Sequence, residues 1–359
     1  MAYTDIDDPS AFFQIALYTG NNSNNVITND GNSDLKPDFI WAKSRTSTSY
    51  TDDHFLVDSS RGVTKGLKSN TTAVETTSAG GTDLKTFNTD GFTVGATNAS
   101  AALNAVDASI VAWQWKCQGG TTASNTSGTI NSTVQANTDA GFSIVTYTGT
   151  GGGETFGHGL GVAPDMWIIK RRSGTGSWAV GFNDANILGG TSKYLILQGT
   201  GGVSTYNNFW GTSPASSTVM RIAGDATIGG SGSTYVAYAF AEKQGYSKFG
   251  KYVGNGNANG AFIYTGFKPA WVMVKRTDGV TNWRLFDSKR SGFNGDTSQL
   301  YPNLANAEDA AGDQIDLLSN GFKNRTASGD QNISGASYIY MAFAENPFTT
   351  STGIPTTAR

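Results

Sequence analysis

Hydrophobic residues recur along this chain in short runs, and long helical patterns are absent. Three of the runs, "ASIVAWQWK", "STYVAYAFAEK" and "ASYIYMAFAEN", alternate large apolar residues with small or polar ones. A period of two predicts β-strands whose large side chains all face one side. We therefore expect Trp113, Tyr238 and Met341 to be equivalent residues on the buried face of three similar strands.

A second phrase also occurs three times, as "PDFIWAKSR", "PDMWIIKRR" and "PAWVMVKRT". Its consecutive apolar residues predict an inner strand that is covered on both faces. We interpret the cations that follow as strand ends in solvent, with a ligand or subunit contact as the alternative. These cations are Lys43, Lys170 and Lys275, followed by Arg171, Arg172 and Arg276.

The constant spacing of these phrases predicts three tandem repeats. A tyrosine in "ALYTG", "VTYTG" or "GKYVG" precedes the lysine of each phrase by 25, 23 and 23 residues. We expect the second and third repeats to be closely docked and the first to be set further off. The predicted organisation is an N-terminal β-sandwich at 1–117, a Ser/Thr/Asn/Gly-rich linker at 118–140, sandwiches at 141–244 and 245–348, and a flexible tail at 349–359.

The composition favours short strands joined by turns. The chain has 46 glycines and only 15% charged residues, and Ser, Thr and Asn separate the apolar runs. Asp90-Gly91 and Asn320-Gly321 each precede a phenylalanine and predict hairpin turns. The expected fold class is all-β, with antiparallel β-sandwiches of the concanavalin or jelly-roll kind.

Net charge and cysteine content narrow the function classes. A formal charge of -3 and the lack of a dense basic tract argue against a nucleic-acid partner. No signal peptide or apolar run of membrane-spanning length is visible, so we expect neither export nor membrane insertion. The single Cys117 cannot form an intrachain disulfide, and we interpret it as a small residue that closes a strand.

Candidate catalytic groups are sparse. His54 and His158 are far apart and accompany no nucleophile motif, so we expect His158 to bond nearby backbone. Asp58 and Asp287 each precede a Ser and an Arg, and we expect each to bond its own turn. The five glutamates do not suggest the paired carboxylates of a glycosidase, although Glu242 and Glu345 occupy equivalent strand ends. We expect no enzyme and no cofactor.

Metal and phosphate sites are also poorly supported. "NDGNSD" places Asp30, Asn32 and Asp34 at alternate positions like the start of a calcium loop, but Leu35 stands where that loop needs glycine. We predict a polar turn there, and weak calcium binding remains open. The glycine-rich stretches lack the GK[ST] ending of a phosphate-binding loop, so they predict strand connections.

One segment resembles a shallow sugar-binding site. "STYNNFWGTSP" combines aromatic rings with amides, so the candidate binding residues are Tyr206, Asn207, Asn208, Phe209 and Trp210. The alternative is a buried strand whose aromatic residues fill the core of the second repeat, and large aromatic residues are more often buried than displayed.

Nearly the whole chain resembles a family of repeat-containing virion proteins of tailed phages that infect marine bacteria and cyanobacteria. The resemblance rests on strings such as "YTDIDDPSAFFQIALYTGN", "ITNDGNSDLKPDFIWAKSR", "NSTVQANTDAGFSIVTYTG" and "VAYAFAEKQGYSKFGKYVGNG". It implies a tail fibre, receptor-binding or other structural protein with a lectin-like sandwich fold, and it supplies no catalytic residues.

Three functions follow from this resemblance. The first is a tail-associated adhesin that contacts host surface polysaccharide, the second a capsid or tail decoration protein, and the third a polysaccharide depolymerase. The chain lacks the heptad or collagen-like repeats of a long fibre shaft. The expected partners are other virion proteins and further copies of this chain, as a trimer if it belongs to the tail, and the expected location is the virion.

Overall fold

The computed structural model describes residues 4–46, 53–97, 103–211, 213–290, 294–295, 297–310 and 312–356. Among these residues, helix is limited to one 3-10 turn, Pro9–Ala11, and one short helix, α1, Ala185–Leu188. Asp184 caps α1 by accepting a hydrogen bond from the Asn186 amide at 2.8 Å. The prediction of an all-β fold is confirmed.

The first unit is an antiparallel sandwich. Its strands are β1 Phe13–Thr19, β2 Asn25–Ile27, β3 Phe39–Ser44, β4 Phe55–Asp58, β5 Lys65–Leu67, β6 Thr76–Thr77, β7 Leu84–Phe87, β8 Phe92–Val94 and β9 Ser109–Trp115. A six-stranded sheet has the order β1-β9-β3-β4-β5-β6, and a three-stranded sheet has the order β2-β8-β7. Their facing side chains, which include those of Ile40, Val57 and Phe92, form one apolar cluster.

The second unit has the largest sheet. Its strands are β10 Ala123–Asn125, β11 Ser132–Asn137, β12 Phe142–Thr148, β13 Glu154–Gly157, β14 Met166–Arg171, β15 Trp178–Phe182, β16 Lys193–Ile196, β17 Ser204–Thr205, β18 Val219–Ile222 and β19 Thr234–Phe240. The eight-stranded sheet has the order β10-β11-β12-β19-β14-β15-β16-β17, and β13 pairs with β18.

Among the described residues, the third unit has fewer strands than the other two. Its strands are β20 Ser247–Val253, β21 Phe262–Tyr264, β22 Phe267–Arg276, β23 Arg284–Asp287, β24 Ile315–Leu318, β25 Gly321–Asn324 and β26 Ser337–Pro347. The sheets have the orders β20-β26-β22-β23 and β21-β25-β24. The turns predicted at Asp90-Gly91 and Asn320-Gly321 do join hairpins, β7 to β8 and β24 to β25.

A common order runs through the three large sheets. The closing strands β9, β19 and β26 lie between β1 and β3, between β12 and β14 and between β20 and β22. β3, β14 and β22 carry Lys43, Lys170 and Lys275. Trp113, Tyr238 and Met341 are at most 1% exposed, which confirms their predicted burial. The division of the chain into tandem repeats stays a prediction, although the strand order agrees with it.

A single apolar core joins the units, because one face of each large sheet turns inward. Its side chains come from all three sheets and include Trp41, Trp115, Trp178, Tyr238 and Trp271. In the first two units the opposite face packs on that unit's smaller sheet in a separate cluster. The small residues predicted there, such as Ala112 and Ala237, permit this close approach.

Backbone hydrogen bonds close the units into a ring. The Glu75 amide donates to the Arg172 carbonyl at 3.2 Å, and the Val203 amide donates to the Thr277 carbonyl at 2.7 Å. The Glu308 amide completes the ring by donating to the Arg45 carbonyl at 2.8 Å. The first unit therefore contacts both others, and the expectation that it is set further off is wrong.

The predicted linker at 118–140 is also wrong in large part, because it contributes β10 and β11 to the second unit. β11 pairs with β12 along its length, from Ser132 opposite Tyr147 to Asn137 opposite Phe142. Its alternation buries Ser132 and Val134, and the Ser132 hydroxyl donates to the Gly157 carbonyl at 2.7 Å. Strand pairing can therefore order a polar segment that composition alone assigns to a linker.

Lys43, Lys170 and Lys275 are fully buried, so the prediction that they lie at solvated strand ends is wrong. The Lys170 ammonium donates to the Arg171 carbonyl at 2.7 Å, and Lys275 donates to the Arg276 carbonyl at 2.8 Å and the Thr200 carbonyl at 3.1 Å. Backbone carbonyls of the strand and of the neighbouring unit thus replace water around these cations. The alternative interpretation, a ligand or subunit contact, stays a prediction, since these bonds lie within one chain.

The segment predicted as a flexible tail folds back on the N-terminal region. The Ser351 amide and hydroxyl donate to the Asp7 carboxylate at 2.6 and 2.5 Å. Thr349 and Pro355 form a β-bridge that closes the turn. Part of the predicted tail, 357–359, lies outside the described residues.

Candidate functional site

Buried ion clusters lie at two of the three junctions, and they bear on what the charged residues do. Arg61 bonds Asp58 at 2.5 Å and Glu75 at 2.9 Å, and Tyr238 of the second unit donates to Asp58 at 2.7 Å. Burial disfavours the charged form of Glu75, but its hydrogen bonds with Arg172 and Arg61 outweigh that effect and lower its pKa. The cluster joins the first and second units.

The junction between the third and first units has the same construction. Arg290 bonds Asp287 at 2.5 Å and Glu308 at 2.9 Å, and the Trp113 indole donates to Asp287 at 2.9 Å. Asp58 and Asp287 also accept from the backbone amides of Arg61 and Arg290, which confirms the predicted turn bonds. These carboxylates are committed to structure and leave no free acid or base.

A cleft lined by two exposed aromatic side chains lies where the second unit meets the third. It encloses about 500 Å³ and includes residues from both chain ends. Tyr264 and Phe348 line it with side chains that are 59% and 37% exposed. The polar residues around them are Asp5, Glu242, Lys243, Gln244, Lys248 and Thr265.

Alternation along β21 displays Tyr264 in this cleft. Ile263 points into the core, whereas Phe262 and Tyr264 point outward. β21 pairs only with β25 in its sheet, so one edge of the strand is open. Gly266 then turns the chain with a φ of +84°, and its carbonyl accepts from the Phe348 amide at 3.3 Å. This bond holds the C-terminal segment beside the β21 edge.

Hydrogen bonds fix the positions of the polar residues at the rim of the cleft. Glu242 accepts from the Lys248 ammonium at 2.9 Å and from the Phe249 amide at 2.8 Å. Asp5 accepts from the Gln244 amide at 3.2 Å, and its own amide donates to the Gln244 carbonyl at 3.0 Å. Because Glu242 is engaged at both oxygens, the rim suits hydrogen bonding to a ligand better than proton transfer.

Exposed aromatic faces beside fixed polar groups can stack on the apolar face of a sugar ring while hydroxyls bond the rim. The cleft thus has the chemistry of a shallow carbohydrate site. In the first unit the residue that follows the buried Ile27 is Thr28, so the position of Tyr264 has no aromatic ring there.

The comparison with protein families matches residues 8–347 to a model described as a domain of unknown function, DUF7483. The chain belongs to the DUF7483 family. No curated protein and no solved structure matches the chain significantly. Membership in DUF7483 spans all three units and brings no activity with it.

The five binding residues predicted from the sequence of this DUF7483 chain lie in two different environments. Tyr206 is 47% exposed and Asn207 and Asn208 are exposed, but Phe209 and Trp210 are 1% exposed. Phe209 stacks on Tyr194 with ring centroids 4.0 Å apart, and the Trp210 indole donates to the Lys193 carbonyl at 2.9 Å. Phe209 and Trp210 are core residues, so their assignment to a ligand surface is wrong.

The histidines and the cysteine of this DUF7483 chain are structural. His54 accepts from the Trp41 indole at 2.9 Å and bonds the Tyr301 carbonyl at 2.9 Å, and burial lowers its pKa well below the usual value. His158 bonds the Ser216 carbonyl at 3.1 Å, as predicted. Burial raises the pKa of the Cys117 thiol, which excludes a ready thiolate.

Metal ligands do not cluster in the part of the chain that the structure describes: no three His, Cys, Asp or Glu side chains are close enough to hold an ion. Asp30 instead pairs with Lys289 at 2.7 Å, and both side chains are substantially exposed. Among the same residues, no helix has the length and hydrophobicity needed to cross a membrane.

Sequence reasoning missed Tyr264 and Phe348. The signal available for Tyr264 is the alternation of "AFIYTG", in which Phe262 and Tyr264 share a face. Which of the two faces is buried depends on the pairing with β25, and no local pattern gives that pairing. Phe348 follows the closing strand and is the last residue of the predicted third sandwich, and no pattern around it indicates that its ring is exposed beside Tyr264.

Proposed function

We propose that this protein is a structural component of a phage particle, a tail-associated adhesin that contacts glycans on the host surface. The sequence resemblance to virion proteins supports the assignment to a phage particle. The cleft lined by Tyr264 and Phe348 supports the adhesin function. The closed ring of units offers a rigid support for such a contact surface.

The aromatic cleft supports glycan binding better than the other exposed positions do. Two aromatic side chains share one concavity of about 500 Å³ with amide, hydroxyl and charged groups on its rim. Tyr206 also remains a candidate, since it is exposed beside Asn207 and Asn208. Its former aromatic companions are buried, which leaves a single ring for stacking.

Substitution of the cleft aromatics tests the adhesin. Tyr264→Ala and Phe348→Ala should each lower binding to host-envelope glycans by about two- to tenfold, since stacking of a ring contributes on the order of 0.5–1.5 kcal/mol. The thermal midpoint should change little, because both side chains are exposed. Val280→Ala, at a position 77% exposed, serves as the control.

Parallel binding curves for Tyr206→Ala decide between the two surfaces. Loss of binding in Tyr206→Ala with full binding in Tyr264→Ala would move the site to the segment predicted from sequence. Unchanged binding in all variants would remove both surfaces as glycan sites. The readout is a glycan array followed by adsorption of the labelled protein to host cells.

Position in the particle is tested separately. Antibodies against the purified protein should label tails of intact virions in immunogold electron microscopy. Labelling over the whole capsid would favour a decoration protein instead. That second function is favoured by the shared core and the ring of junctions, which suit a piece whose task is to cover and cement.

A depolymerase is the weakest of the three functions, because Glu242 in the cleft is bound by Lys248 and the Phe249 amide. Release of reducing ends from host polysaccharide would support it.

We also propose that the chain forms a homo-oligomer, a trimer if it lies in the tail. Sedimentation that gives a stable monomer at micromolar concentration would count against this.

A further inference from the structure

The strand β11 fills a slot at the junction of the first and second units. Its Gln135 amide donates to Ser59 and to Ser60 of the first unit, each at 2.9 Å. The Gln135 side-chain oxygen accepts from the Gln118 and Gly120 amides at 3.0 and 2.8 Å. β11 therefore pairs with the edge of β12 and at the same time bonds the neighbouring unit.

An open slot occupies the corresponding place between the third and first units. It measures about 300 Å³ and is lined by Phe13 and Ile15 of β1 and by Ser288, Lys289 and Glu345 of the third unit. Ser288 and Lys289 follow Asp287 as Ser59 and Ser60 follow Asp58. The slot thus has the walls that hold β11 at the first junction, but no strand from the described residues lies in it.

The register shows which backbone groups face this slot. The Lys116 amide donates to the Phe12 carbonyl at 2.9 Å, and hydrogen bonding between β1 and β9 alternates from that pair onward. The amides and carbonyls of Phe13 and Ile15 therefore point away from β9. In β12 the equivalent groups, on Phe142 and Ile144, face β11.

The junction between the second and third units closes its slot differently. There the outward amide of Phe249 donates to Glu242 at 2.8 Å, so a carboxylate occupies the place of a partner strand. β1 is the edge strand of its sheet and has only β9 as a hydrogen-bonded neighbour among the described strands. Of the three equivalent edges, β1 is the one open to strand addition.

Charges lining the open slot are already paired. Lys289 pairs with Asp30 at 2.7 Å, and Glu345 pairs with Lys268 at 2.6 Å. An incoming charged side chain would have to break one of these pairs, whereas an uncharged amide would not. The chemistry that fits is that of β11 itself: small uncharged residues around one glutamine.

We propose that the β1 edge is a docking site for an extended segment of another protein, a strand of small uncharged residues with one central amide that pairs antiparallel with β1. Its central amide side chain bonds the Ser288 turn as Gln135 bonds Ser59. Main-chain hydrogen bonds supply the affinity of such strand addition, and side-chain pockets supply its selectivity. This proposal does not depend on the glycan cleft.

The test uses a synthetic peptide with the sequence of residues 129–139, added to the intact protein. The peptide should bind saturably in fluorescence anisotropy and slow hydrogen exchange of the outward amides in Phe13–Thr19. Ser288→Trp, which fills the slot, should weaken binding by about tenfold or more. Ser334→Trp places the same bulky residue at an exposed serine elsewhere and should bind like the wild type.

Absence of saturable binding, or protection confined to β12 or β20, would overturn the proposal. If Ser288→Trp does not fold, Lys289→Trp blocks the same rim from a more exposed position. A scrambled peptide that protects β1 equally well would also refute it, since a specific strand site requires the Gln135 pattern.

Discussion

Two kinds of junction hold the same ring together. The first-to-second and third-to-first junctions bury Arg61 and Arg290 with carboxylates, whereas the second-to-third junction has Phe182 where the others have Asp58 and Asp287. The residue of the closing strand that faces this position from the next unit differs in the same way. Tyr238 and Trp113 donate hydrogen bonds to the aspartates, and the third closing strand offers Met341, which has no donor.

The difference extends to the outer part of the junction. Glu75 and Glu308 pair with Arg172 and Arg45, but the corresponding residues at the apolar junction are Val203 and Thr277. The backbone hydrogen bonds between these positions nevertheless remain. The same backbone arrangement therefore accommodates either charged or uncharged side chains, provided that the residues on both sides of the junction match.

The largest expected effect comes from leaving a buried charge unpaired. Arg61→Ala removes the partner of the buried Asp58 and should lower the free energy of unfolding by about 3–5 kcal/mol. Arg276→Ala is the matched control at the apolar junction, because Arg276 pairs locally with the partly exposed Asp278 and should cost less than about 1 kcal/mol. Urea denaturation of both variants measures the contrast, and equal losses would contradict it.

Met341→Ala tests the apolar junction. Removal of this fully buried side chain should cost about 2–5 kcal/mol through lost packing and the cavity that remains. Met341→Leu, which nearly conserves volume, should cost less than about 1.5 kcal/mol. If thermal denaturation shows no difference between the two variants, the junction is not packed as described.

pH should affect both kinds of junction alike through their buried lysines. Burial, followed by the charge of the adjacent arginine, lowers the pKa of Lys170 and of Lys275 to about 8, below the unfolded value of about 10.4. As pH rises from about 8 to 10, the unfolded chain keeps protons that the folded protein has released, so stability should rise. Buried tyrosines oppose this above about pH 10.

Urea midpoints at several pH values within this window provide the measurement. Lys275→Met should reduce the rise, since one of the two titrating groups is gone. A midpoint that falls as pH rises from 8 to 10 would show that the ammonium groups are better satisfied in the folded protein than their burial implies.

The smallest effect is expected from transplanting the outer ion pair. Val203→Glu with Thr277→Arg copies the Glu75–Arg172 pair into the apolar junction, and a double-mutant cycle should give a coupling of about 0.2–1 kcal/mol. Added salt should weaken the coupling. A coupling near zero at low salt would mean that the ionic junctions differ from the apolar one in more than these side chains.

The closing strands could be predicted from the sequence, because their alternation of large and small residues corresponds directly to the buried and opposite faces. Sequence pattern could not give the surroundings of Lys43, Lys170 and Lys275, since the carbonyls that solvate them belong partly to a neighbouring unit. It also missed β11, whose polar residues are ordered by the edge of β12. The candidate cleft was also missed, because Tyr264 and Phe348 are far apart in the sequence and line one cleft only in the folded protein.

Ring closure also constrains how the protein is made. His54 of the first unit bonds the Tyr301 carbonyl, 247 residues later in the chain. At synthesis rates of about 5–20 residues per second, a ribosome needs roughly 12–50 s to supply that partner. During this interval the side chains of the first sheet that pack against the third unit, such as His54 and Trp113, lack those partners.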